Sequence, residues 1–213
     1  MNANCFVRPT ILILVATIMV LCGCLGRSQQ TKFYLLHPTL SLQTGKAVTA
    51  KEGLRIGVGP VEIPEYLDRP QIVTRISESE FQIDEFNQWA ETLTFSISTI
   101  IAENLSVLLT TDNLFIFPWP GSTQIDYQIK VDIIRFNAIP GGKIVLETQH
   151  TIYRGESRED LGRYISSFSR PTDGQDYEAI VSSMSQLLED LSREIAQTIM
   201  ALPKEDTPLE PKE

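Results

Sequence analysis

The sequence predicts an α/β (α+β) fold: a single two-layer domain with a mixed, mainly antiparallel sheet and two long amphipathic helices on one face. Three observations carry this. Ile125, Tyr127, Ile129, Val131 and Ile133 alternate with Asp126, Gln128, Lys130 and Asp132, the period of a strand with one buried and one wet face. Ile139-Pro140-Gly141-Gly142 is turn chemistry, and Ile144, Leu146 and Ile152 beyond it mark an antiparallel return strand. Two further segments repeat apolar residues at steps of three and four, one stripe on each of two helices that must be buried against the sheet.

The elements follow in order. KFYLLH at 32–37 reads as a first strand, and residues 38–52, rich in Pro, Gly, Ser and Thr, as a loop. In GLRIGVGPVEIP, Leu54, Ile56 and Val58 share one face; Pro60 has no N–H for a ladder, so it must shift the register or sit at an edge. A proline-bracketed turn, EYLDRP, leads to a strand with Ile72, Thr74 and Ile76 aligned. EFQID at 80–84 follows a Ser-Glu-Ser turn, and Asp84 and Glu85 lead into a helix. From Phe86, Trp89, Leu93, Ile97, Ile100, Ile101, Leu105 and Leu108 form the stripe of a helix of about six turns. LFIFPWPG at 114–121 is a short strand stopped by prolines. After the hairpin, residues 154–163 read as a solvated loop and YISSFS as a third strand. Tyr177, Ile180, Met184, Leu187, Leu188, Leu191, Ile195 and Ile199 are the stripe of the last helix, with Asp173 and Asp176 at its N-terminus and Pro203 at its end.

A net charge of −9 argues against nucleic acid, whose phosphates need clustered Lys and Arg. The three cysteines, Cys5, Cys22 and Cys24, all lie in the first 24 residues, so no disulfide staples the body to itself. Residues 11–21 are an uncharged apolar run. It is shorter than the roughly 20 residues that cross a membrane and fits the core of a secretory signal. Cys22 and Cys24 would close a tight, strained ring, and no further metal ligand lies near them before His37. Leu21-Cys22-Gly23-Cys24 resembles the bacterial lipobox, departing from it at Cys22, where Ala or Ser is usual. That resemblance makes residues 1–23 a signal peptide, Cys24 the lipidated first residue and 24–31 a tether. It implies a diacylglycerol and a palmitate chain on Cys24, and Leu25, which is not Asp, goes with outer-membrane sorting. Residues 32–203 are then the domain and 204–213 a disordered polar tail.

Catalytic signals are thin. The two histidines, His37 and His150, share no ligand spacing with carboxylates, and His150 lies in phase with buried strand positions. Gly57-Val58-Gly59 lacks the third glycine and the following helix of a dinucleotide loop, which favours strand packing. There is no Gly-x-Ser-x-Gly and no cysteine beyond Cys24. Asp126 and Asp132 read as solvated surface. No enzyme activity, metal or cofactor is expected. Interaction signals are better. Tyr66, Leu67, Asp68 and Arg69 sit in a turn between Pro64 and Pro70, and Phe117 and Trp119 flank Pro118; rigid loops lose little entropy on docking. The alternative is that both loops fold back and cap the core.

Lipobox, an early FYLL strand, GVGPVEIPEYLDRPQIVTR, FPWP, DYQIKVDIIRFN, GGKIVLETQHTIY and a terminal helix after DGQDYEAI follow in that order. The chain resembles the PqiC-like auxiliary lipoproteins of ABC-type transport systems, most specifically in Pro-x-Tyr-Leu-Asp-Arg-Pro. The resemblance implies a periplasm-facing outer-membrane lipoprotein that serves, without catalysis, an MCE-domain protein and its inner-membrane ABC/permease system in lipid transport. A homo-oligomer around the partner's tip is a further expectation. The competing reading is a stand-alone envelope lipid- or polysaccharide-binding lipoprotein, or one of outer-membrane assembly.

Overall fold

The computed structural model describes residues 29–40, 53–155, 157–172 and 174–202. The expected signal peptide, Cys24, most of the first long loop, Asp173 and the C-terminal residues from Pro203 on lie outside the described residues. The described residues from Lys32 onward form one compact unit. Its elements are β1 (Lys32–Tyr34), β2 (Ile56–Glu62), a 3-10 turn (Glu65–Leu67), β3 (Gln71–Arg75), β4 (Phe81–Trp89) and α1 (Leu93–Leu109). After these come β5 (Leu114–Ile116), β6 (Tyr127–Ala138), β7 (Lys143–Arg154), β8 (Asp160–Pro171) and α2 (Tyr177–Ala201).

The long alternating segment is β6, and the sheet is organised around it. On one side β6, β7 and β8 run antiparallel as a meander. On the other side the first half of β6 pairs in parallel with β2, which pairs in parallel with β5. The far end of β6 meets β3 at Thr74↔Ala138; β3 is antiparallel to β4, and β4 is parallel to β1. The sheet is therefore mixed, with antiparallel order in its long ladders. Ile129, Val131, Ile144, Leu146 and Ile152 are fully buried on one face. There α1 packs on β2 and β5, and α2 on β7 and β8. The two helices also pack on each other, with Asn104 Nδ2 donating to Ser192 Oγ at 3.4 Å.

Two details of β2 and β6 follow from local chemistry. The β2–β6 register shifts between Val58 and Val61, as the missing N–H of Pro60 requires. The β6–β7 register shifts between Ile133 and Arg135. That bulge hands the buried face from odd to even positions, so Phe136 and Ala138 continue the core while Ile134 is turned outward.

Four expectations need correction. The first strand stops at Tyr34, although Leu36 is still buried. The first helix begins at Leu93, so it has under five turns rather than six. Phe86 to Trp89 belong to β4, and Asp84 and Glu85 are strand residues rather than a helix start. Trp89 fits the helical step to Leu93, yet it is buried by alternation with Asn87 inside the strand. The expected loop over 154–163 is largely strand, because β7 runs to Arg154 and β8 starts at Asp160. At the last helix, Asp176 is the N-cap and its side chain accepts the Ala179 N–H at 2.8 Å. Asp176→Ala should lower stability by about 1 kcal/mol, read as a small fall in melting temperature.

Candidate functional site

Pro64 enters the 64–70 turn in an extended conformation, and the Leu67 N–H closes it on the Pro64 carbonyl at 2.9 Å. Tyr66 stacks on Phe81 with ring centroids 4.7 Å apart. Its hydroxyl donates to Asn137 Oδ1 at 2.9 Å, and burial pushes its phenol pKa up. Leu67 is in the core at 3% exposure. Asp68 points to solvent, and Arg69 is half-buried, its Nε without a hydrogen-bond partner among the described residues. Asp68, Arg69 and Pro70 line one side of a cleft of about 350 Å³; Trp89, Ala90, Glu91, Thr92 and Leu93 line the other. The turn thus has a core side, Tyr66 and Leu67, and a cleft side, Asp68 and Arg69.

Phe117 and Trp119 occupy a separate surface. The Phe117 N–H donates to the Val58 carbonyl at 2.9 Å, extending the β5–β2 pairing. Ile56 and Val58 face the core, so Gly57 and Gly59 face away from it. Gly59 has φ +116, and a Cβ there would lie 2.8 Å from Phe117 Cβ. A Cβ on Gly57 would lie 2.7 Å from Trp119 Cη2. The paired glycines leave a bare strip for the aromatic segment, so strand packing accounts for the Gly-Val-Gly motif. Phe117 and Trp119 meet edge to face at 5.5 Å, and Phe117 remains 49% exposed. Trp119 is half-buried over its glycine. Gly57→Ala should lift this ring at a cost of about 1–3 kcal/mol, seen as a red shift of tryptophan emission together with a lower melting temperature.

Several charged and phenolic groups outside these two surfaces are paired. Asp126 holds Arg55, with Arg55 Nη2 to Asp126 Oδ1 at 2.6 Å. Lys130 bridges Asp132 at 2.9 Å and Glu62 at 3.1 Å, and those two carboxylates raise its pKa. Tyr177 donates to Asp84 Oδ2 at 3.2 Å. Burial first, and the Asp84 charge second, push the Tyr177 phenol up to about 12. No group of three metal-ligating side chains occurs among the described residues.

His150 is fully buried on β7, stacked at 5.2 Å on Tyr164, and neither ring nitrogen has a hydrogen-bond partner among the described residues. This is a packed core histidine. Burial lowers its pKa, and the attraction of Glu194 on α2 only partly opposes that. The sign follows: the unfolded chain takes up the proton first as pH falls. Stability is therefore full above the unfolded value near 6.5 and is lost as pH drops through it towards the folded value. The melting temperature should fall between pH 7.5 and 5.5, and His150→Leu should flatten that fall.

The structure thus brings Asp68 and Arg69 together with Trp89 to Leu93, and Phe117 with Trp119. The 68–93 cleft does not include Phe117 or Trp119. Cys24 lies outside the described residues. Trp89 as a cleft residue was hidden because its spacing fits a helical stripe.

The model of the ABC-type transport auxiliary lipoprotein component family matches residues 34–196. No curated protein matches the chain. Among solved structures, an uncharacterised protein is similar at a TM-score of 0.64 and 18% identity, covering 80% of this chain and 99% of that one. A Xanthomonas campestris protein of the DUF330 family is similar at a TM-score of 0.64 and 15% identity, covering 79% of this chain and 95% of that one. At these identities the two structures bear on the fold.

Proposed function

We infer the role of this protein from one premise: the chain belongs to the family of ABC-type transport auxiliary lipoprotein components. In our reading it is a non-catalytic docking subunit. Lipid on Cys24 holds it at the periplasmic face of the outer membrane. The body receives the tip of an MCE-domain protein, which is served in turn by an inner-membrane ABC/permease system that moves lipid between the membranes.

The observation that carries the docking role is the cleft at Asp68 and Arg69. Pro64 to Pro70 is the segment that most specifically resembles the family, and its solvent side opens into that cleft. The exposed Phe117, backed by Trp119 and two glycines, is a second rigid contact of the sort that binds with little ordering cost. Tyr66 and Leu67 support the turn from within. After crosslinking of whole envelopes, the protein should co-purify with an MCE-domain protein and its ATPase. Arg69→Glu and Phe117→Asp should each reduce that yield while the melting temperature holds. Recovery of neither partner from the parent chain would overturn the assignment.

A further inference from the structure

The edge strand that follows the tether segment in the sequence carries an apolar surface that the docking role leaves unused. Phe33 on β1 is 65% exposed and Leu35 just beyond it 50%. Phe33 pairs in register with Gln88 of β4, so Phe86, two residues before Gln88 and also exposed, lies on the same side of the sheet. Tyr34 points the other way, to Tyr177 of α2, with centroids 6.0 Å apart. Phe33 and Phe86 therefore project from the sheet face opposite Tyr34, while Phe33 and Leu35 also line, with Glu178, Val181 and Ser182 of α2, an open cleft of about 430 Å³ at this edge, and Lys32 is exposed beside them.

We propose that this Phe33–Leu35 edge lies on the lipid surface to which the chain is anchored. The proposal rests on the reading of Cys24 as the lipidated residue. Phe33 lies nine positions after Cys24, a contour of at most ~32 Å and a root-mean-square span of about 17 Å for a flexible chain. The anchor thus presents bilayer to this edge at a permanently high effective concentration. Aromatic and aliphatic side chains flanked by a lysine match the apolar–headgroup boundary, where the rings sit in the interface and the cation meets phosphate. A second copy adding a strand fits less well, because β1 has three residues and so short an edge is a poor template.

The mature chain offers a direct test, since its one cysteine, Cys24, has its thiol occupied by lipid. Phe33→Cys then supplies a single free thiol for a nitroxide. The labelled, lipidated protein is placed in phosphatidylethanolamine–phosphatidylglycerol vesicles, with a label at solvent-facing Asp112 as control. At position 33 we expect increased collision with oxygen and loss of collision with a nickel chelate, relative to the same label in a soluble Cys24→Ser chain. The control should not change. A label at 33 that stays open to nickel on lipidated protein overturns the proposal and leaves the anchor standing. Spin–spin broadening that vanishes on dilution with unlabelled protein also overturns it, in favour of a second copy. Absence of lipid mass on Cys24 fails the anchor reading itself and the proposal with it.

Discussion

Behind a plain cleavable secretory signal, a chain carrying Cys24→Ser should appear wholly in the soluble fraction, whereas the parent sediments with membrane. The magnitude comes from chain count. Each buried methylene contributes about 0.8 kcal/mol, and a single myristoyl chain gives only reversible binding near 10⁴ M⁻¹. Three chains on Cys24, as the lipobox resemblance implies, would make release negligible on any cellular timescale, and removing all of them would leave little to replace them. No described helix is long and apolar enough to cross a membrane, and a net charge of −9 gives no general attraction to anionic lipid. The Phe33–Leu35 edge is too small an apolar surface to hold the body alone; its contact depends on the tether's proximity. Cys24 precedes the compact unit that starts at Lys32, so the released chain should keep the parent's melting temperature. A Cys24→Ser chain that still sediments, and resists alkaline extraction, would mean that the attachment lies elsewhere.

Different parts of this molecule were legible in the sequence to different depths, for physical reasons. The alternation from Ile125 to Ile133 identifies β6 because a half-buried strand imposes period two on its side chains. That period ends at Ile133-Ile134, where two adjacent isoleucines leave the facing undecided, and only the bulge against β7 settles which is inside. The boundary between β4 and α1 was hidden by Trp89, which satisfies a four-residue helical step and a two-residue strand step at once. The 64–70 turn could be located from its prolines. Its division into a core side and a cleft side could not, because a turn has no period and the partners of Tyr66, Phe81 and Asn137, are supplied by distant strands. Gly57 and Gly59 likewise gain their meaning from Phe117 and Trp119, about 60 positions on.

That division of the turn gives the second large effect. Leu67→Ala should lower stability by about 2–5 kcal/mol, the transfer term of a fully buried leucine plus the cavity it leaves. For a domain of this size that is a fall in melting temperature of roughly 5–20 °C. The loss is large because Leu67 is 3% exposed and held in the turn by the Pro64 carbonyl, so the site cannot collapse without moving the chain towards β3. Arg69→Glu, two residues on, removes no core side chain, so it should cost much less stability than Leu67→Ala, yet it reverses the charge offered at the cleft. The pair separates two roles within one short motif. Leu67→Ala should reduce partner yield only in proportion to the folded protein lost, and cooling or a stabilising osmolyte should restore it. Arg69→Glu should reduce the yield from fully folded protein, and neither treatment should rescue it. If Leu67→Ala instead abolishes co-purification at an unchanged melting temperature, the leucine is itself the contact and the core-facing assignment fails. If Arg69→Glu leaves the partner bound, the cleft between Asp68 and Leu93 is not where the MCE-type tip is received, and Phe117 becomes the contact to test next.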